Sequence, residues 1–197
     1  MSKKQKWDEA YQDADFITTT PVRVLIENEH LLPENGTVLD LACGRAGNAL
    51  FLANMNHKDY QIDAIDFSSV VIDSLSKFVN SKGLPVNCIL RDVENEGLKD
   101  VSSNQQYDII VVSYFLNRAL FPQIIDALKS GGLLYYQTWS QEKVDNSGPS
   151  NPKFRLKKGE LLSLCADLVP MVYREEGHNG NIAKGLRNEA MIVAIKR

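Results

Sequence analysis

A chain of 197 residues with 44% apolar and 24% charged residues has the length and composition of one globular domain with a substantial core. Lys and Arg number 22 against 25 Asp and Glu, so the formal charge of −3 excludes a strong electrostatic footprint for nucleic acid or anionic lipid. The three cysteines follow no disulfide or metal spacing, which points to reduced thiols in a cytoplasmic setting.

The polar opening residues do not form a signal peptide, and no run reaches the roughly 20 apolar residues of a spanning helix. Residues 1–32 read as a helical segment ahead of a sheet, placed to act as a lid. Its expected helices are Lys4–Asp13 and Val22–Leu31, with Thr20-Pro21 opening the second, and Trp7, Tyr11 and Phe16 supply its aromatic residues. Residues 33–197 form the α/β core of what reads as one domain over 1–197. Apolar runs at Thr37–Leu41, Gln61–Ile65, Val86–Leu90, Tyr107–Val112 and Leu133–Thr138 are continuous, as in strands covered on both faces of a parallel sheet. Helical spacing follows at Asn48–Asn56, at Ser68–Ser81 with a serine cap and Gly83 as its stop, and at Phe121–Lys129 before Gly131-Gly132. The end reads as helix Leu161–Leu168 and strands Val169–Arg174 and Ala190–Lys196, an antiparallel pair at the sheet edge. The fold class is therefore α/β: a doubly wound, mostly parallel, seven-stranded sheet with an antiparallel edge strand.

The first strand runs into Asp40-Leu41-Ala42-Cys43-Gly44-Arg45-Ala46-Gly47, a carboxylate followed by small residues that let backbone approach a ligand. A tight turn without a ligand is one reading. A dinucleotide loop is another, since A-x-G-x-x-G is present and Asp66 lies about 20 residues on. Asp40 opposes it, because a carboxylate beside a pyrophosphate repels it, whereas a cationic ligand such as S-adenosylmethionine is favoured.

The stretch VLDLACGRAGNALFLA, with WDEAY near the N-terminus, resembles the class I S-adenosylmethionine-dependent methyltransferases, closest to the tellurite-resistance branch. The resemblance covers residues ~5 to 140 by order of motifs. It implies the Rossmann-like methyltransferase fold, S-adenosyl-L-methionine as cofactor, and a small-molecule acceptor. It also implies that the Asp40, Ala42 and Gly44 loop carries the methionine end and that Asp66 takes the ribose hydroxyls. The resemblance further implies that Phe67 packs on adenine, that Asp92 accepts from its amino group, that Val93 offers a backbone N–H, and that Ser113 stands where the pocket opens. The family's G-x-G-x-G becomes Ala42, Gly44 and Ala46 here.

Methyl transfer from a sulfonium needs alignment and exclusion of water more than a fixed catalytic residue. Candidates on the acceptor side are Tyr11, Tyr114, Arg118, Arg155 and His178, and the two arginines together suit an anionic acceptor or metalloid oxyanion. No metal spacing, P-loop or G-x-S-x-G occurs, and the Asn-Pro-Pro-aromatic signature of base-flipping methyltransferases is missing after the fourth strand. A protein that binds S-adenosylmethionine without turnover and a nicotinamide-dependent oxidoreductase are the rival readings. Neither nucleic acid nor membrane is an expected partner.

Overall fold

The computed structural model describes residues 8–9, 20–101 and 106–197. Of the expected helix Lys4–Asp13 only residues 8–9 are described, in helical conformation, and Trp7, Tyr11 and Phe16 lie outside the described residues. Each continuous apolar run becomes a strand: β1 (Asn35–Leu41), β2 (Asp59–Asp66), β3 (Val86–Leu90), β4 (Tyr107–Ser113) and β5 (Leu128–Trp139). The last two strands are β6 (Val169–Arg174) and β7 (Glu189–Ile195). The seven stand in the order β3-β2-β1-β4-β5-β7-β6. Neighbours from β3 to β5 pair in parallel, and β7 runs antiparallel to both β5 and β6, giving the expected pair at that edge.

Apolar side chains leave β4 on both faces, which is why its run is continuous rather than alternating. Ile109 and Val111 enter a core beneath α1 (Arg23–Glu27), α2 (Gly47–Ala53) and α3 (Ser69–Lys82). Ile110 and Val112 enter a second core against α4 (Val93–Glu96), α5 (Phe121–Asp126) and α6 (Glu160–Leu164). Fully buried Tyr135 and Tyr136 divide between the same two layers, and each large side chain removed from water contributes about 1.5–3 kcal/mol.

Helix α3 begins where Ser68 Oγ accepts from Val71 N and ends at Gly83, whose φ of 63° places it in the left-handed region. The segment expected as one helix over Val22–Leu31 is instead α1 followed by a 3-10 turn at Glu29–Leu31. The helix expected to run to Lys129 stops at Asp126, because Leu128 already pairs with Tyr107 across the β4–β5 ladder. Register shifts between Tyr107 and Ile109, where Gly132 packs so close to Tyr107 O that a β-carbon would stand 3.0 Å away. No helix among the described residues is long and apolar enough to cross a membrane.

Candidate active site

The carboxyl ends of β1, β2, β3, β4 and β5 are laced together by backbone hydrogen bonds that fix the floor of a site. Cys43 N donates to Ile65 O at 2.8 Å, Arg91 N to Asp66 O at 2.9 Å, and Tyr114 N to Gln137 O at 2.9 Å. Between β1 and α2 the chain turns through Ala42, Gly44 and Ala46 at φ of 55°, 51° and 56°. All three positions that the resemblance assigns to glycine are thus left-handed, two of them carrying a β-carbon.

The loop is anchored from both sides. Gly44 N donates to Asp66 Oδ2 at 2.9 Å, and Ser68 N donates to Asp66 Oδ1 at 2.9 Å. Asp66 is 5% exposed, and burial raises its carboxyl above the ordinary value against the pull of these donors. Ser68 Oγ also donates to Asp8 Oδ1, which brings residues 8–9 of the N-terminal segment beside it.

Asp40 corrects the expectation that its charge faces a ligand. It is 0% exposed, and it turns inward to accept from Asn48 Nδ2 at 3.2 Å and from Ala49 N at 3.0 Å. Burial dominates and pushes its carboxyl up to about 7, while the two donors pull the other way. Asn48, which sequence reasoning passed over, is the centre of this corner. Its Nδ2 also donates to Ser113 Oγ at 3.0 Å, and its Oδ1 accepts from Val22 N at 2.8 Å. Thr20 O would stand 2.6 Å from a β-carbon at Gly47, so the chain entering α1 lies directly on the start of α2. An amide at the opening of a helix, directly after small residues, was its only signal in the sequence.

Two clefts flank the Gly44–Asp66 contact. One of about 390 Å³ is lined by Phe67, Leu90, Arg91, Asp92, Glu94, Asn95 and Glu96. Asp92 caps α4 there, accepting from Glu94 N at 3.1 Å and from Asn95 Nδ2 at 2.7 Å, and Val93 packs into the core beneath it. The other, about 550 Å³, includes Thr20, Arg23, Cys43, Arg45, Asn48, Ser113 and Tyr114 in its walls. The Cys43 thiol is buried, and the lack of solvent raises it well above an ordinary thiol.

Tyr114 is the acceptor-side candidate that the structure does bring to a cleft. It is 49% exposed, holds φ 54°, and rests its ring on Trp139 with centroids 5.2 Å apart. The two arginines expected to receive an anion do other work. Arg118 forms a bidentate pair with Glu160, at 2.6 and 2.9 Å, and donates to the carbonyls of Lys153 and Arg155. Arg155 is 3% exposed and donates to the carbonyls of Pro149, Ser140 and Ser147, pinning the loop that follows β5. Each guanidinium fork is already filled by protein oxygens. His178 is exposed between β6 and β7 and lines neither cleft, and Tyr11 lies outside the described residues. No metal-holding cluster occurs among the described residues.

Comparison with known proteins agrees with this fold. Residues 38–132 match the model of the methyltransferase domain family. TehB from Haemophilus influenzae superposes with a TM-score of 0.70 at 20% identity, over 97% of this chain and 67% of that one. A SAM-dependent methyltransferase from Aquifex aeolicus gives 0.69 at 15% identity, over 100% of each chain. Among curated proteins, Hemagglutinin 1 of Eikenella corrodens is 28% identical over 144 residues, 70% of this chain, and the chain spans 45% of that relative's length. By fold the chain shares the doubly wound α/β architecture of these solved methyltransferases, and the likeness to the methyltransferase domain lies in residues 38–132. The Aquifex aeolicus neighbour is itself described as SAM-dependent.

Proposed function

We propose that the chain transfers the methyl group of S-adenosylmethionine to a small-molecule acceptor, with the cofactor lying across the two clefts. The observation that carries this reading is how the turn after β1 uses its hydrogen-bond donors. A dinucleotide site needs loop and helix N–H groups turned toward a phosphate. Here Gly44 N is held by Asp66, Cys43 N by Ile65 O, Ala46 N by Cys43 O, and Ala49 N by the Asp40 carboxylate. Asp40 thus disfavours a phosphate by occupying the start of α2, not by facing the ligand.

The groups that remain fit the cofactor's parts. Asp66 keeps acceptor capacity for a vicinal diol, since a carboxylate offers about four lone-pair sites and the backbone donors here are those of Gly44, Phe67 and Ser68. Phe67 and Asp92 line the smaller cleft, as an adenine ring with an exocyclic amine requires, and Val93 N is the backbone donor assigned beside it. The Ala42–Gly44 turn and Ser113 border the methionyl end, where exposed Arg45 is the cation for its carboxylate. When bound, the sulfonium supplies an activated methyl group for in-line displacement, so the protein's task is alignment and dryness.

Titration calorimetry with S-adenosylmethionine and with NAD, coupled to an assay for S-adenosylhomocysteine, tests this. Binding of the sulfonium and not of NAD is expected, and Asp66→Ala weakens it by about 1–3 kcal/mol. An affinity unchanged in that variant refutes the ribose assignment. Binding without product over a broad acceptor panel favours a non-catalytic binder instead.

A further inference from the structure

Beyond Tyr114 the larger cleft leads to a carboxylate that neither the cofactor reading nor the resemblance uses. Glu189 opens β7 directly opposite Trp139 of β5. It is half-buried, and Tyr114 Oη stands 3.4 Å from both of its oxygens. Gln137 Nε2 donates to Oε2, while Gln137 Oε1 accepts from Val24 N at 2.7 Å, so the amide cannot turn away. Two residues without glycine's freedom flank this carboxylate in left-handed conformations, Tyr114 at φ 54° and Asn188 at φ 64°. Asn188 is held there by Val144 N, Asp145 and Ser147. Strained backbone kept by several hydrogen bonds is characteristic of functional positions.

Resting on the methyl-transfer reading, we propose that Glu189 and the Tyr114 ring form the acceptor subsite, and that the acceptor is an organic amine entering as its ammonium. The polar and charged groups facing Glu189 are Tyr114, Gln137 and, at longer range, Arg23. Arg23 is engaged by Glu27 and by Gly185 O at 2.8 Å, and Glu189 forms no ion pair among the described residues. A half-buried carboxylate without a contacting cation repels an oxyanion and attracts an ammonium, and an aromatic face adds cation–π attraction. Burial raises the Glu189 carboxyl above its ordinary value, which suits it to take a proton. The tyrosine hydroxyl is pushed up to about 12 and so stays protonated as a donor to it.

The step balances within these groups. Glu189 takes one N–H proton from the ammonium, leaving a neutral amine with a free electron pair. That pair forms the N–C bond to the methyl group as the C–S bond breaks, and the bonding pair leaves on sulfur as a neutral thioether. The product is the N-methylated ammonium.

The test is an S-adenosylhomocysteine assay with benzylamine, phenethylamine and tryptamine against matched phenols, tellurite and selenite, run beside cofactor calorimetry. Amine turnover is expected, falling about 100-fold or more in Glu189→Gln, with cofactor affinity held within about twofold because the cofactor's groups are elsewhere. Tyr114→Phe keeps the ring and removes the hydroxyl, so it gives a smaller loss and shows that the subsite is folded. Cofactor binding with turnover of only the phenols or oxyanions, or with Glu189→Gln as active as the parent, overturns the amine assignment alone, whereas cofactor binding with no acceptor methylated favours the non-catalytic binder and overturns this proposal with it. Failure to bind S-adenosylmethionine at all overturns the methyltransferase reading and this proposal with it.

Discussion

Replacing Ala42 by glycine asks whether the turn after β1 is strained in proportion to its geometry. A β-carbon in the left-handed region costs about 1–2 kcal/mol, and Ala42 sits there at φ 55°. Glycine removes that cost but frees the unfolded chain, which takes back roughly 0.4–1 kcal/mol. Ala42→Gly is therefore more stable than the parent by about 0.5–1 kcal/mol. Ala46 has nearly the same φ, 56°, but is fully buried. Its methyl group loses a further ~0.8 kcal/mol of burial, so Ala46→Gly stays within about 0.5 kcal/mol of the parent. Gly44→Ala, at φ 51°, reverses the experiment and destabilises by about 1 kcal/mol. Urea unfolding with a constant m-value measures all three, and each kcal/mol moves the thermal midpoint by roughly 2–4 °C in a chain of this size. The reasoning requires the order Ala42→Gly, then parent with Ala46→Gly, then Gly44→Ala. An Ala42→Gly variant less stable than the parent would refute it, because strain at φ 55° would then be absent.

Arg155→Ala should behave as a structural lesion and not a binding one. Removing three hydrogen bonds from a buried guanidinium to carbonyls lowers unfolding free energy by roughly 3 kcal/mol, while KM for the acceptor is unchanged; a raised acceptor KM at full stability would restore its expected ligand role. Asp40 gives a pH signature. Its folded value of about 7 lies above the unfolded one, so its contribution is fully present below about pH 4 and is lost as pH rises through 7. Between those limits the loss is ~1.4 kcal/mol per pH unit, about 4 kcal/mol in all. Unfolding free energies of the parent and of Asp40→Asn should therefore diverge over that interval, and parallel curves contradict the assignment.

What could be read in the sequence, and what could not, follows the distance to the partner. The parallel strands were legible because each is apolar on both faces, and Ser68 with Gly83 marked the ends of α3 by chemistry confined to a turn. The start of β5 was not, since helical spacing over residues 121–129 is local whereas the pairing of Leu128 with Tyr107 is made 21 positions away. Arg118 and Arg155 could be found as charges. Their saturation could not, because Glu160 is 42 positions from Arg118 and the carbonyls held by Arg155 belong to a folded loop. Asp40 could be singled out as the carboxylate ending β1, yet the direction of its side chain depends on Asn48 and Ala49, which only the start of α2 brings above it. Glu189 had no signal at all, since an acid opening a strand becomes distinctive only beside the strained Tyr114. The first loop shows the converse. Glycine is absent from positions 42 and 46, but the backbone there remains left-handed. The motif therefore encodes a conformation, and alanine meets that demand at an energetic cost that the rest of the site sustains.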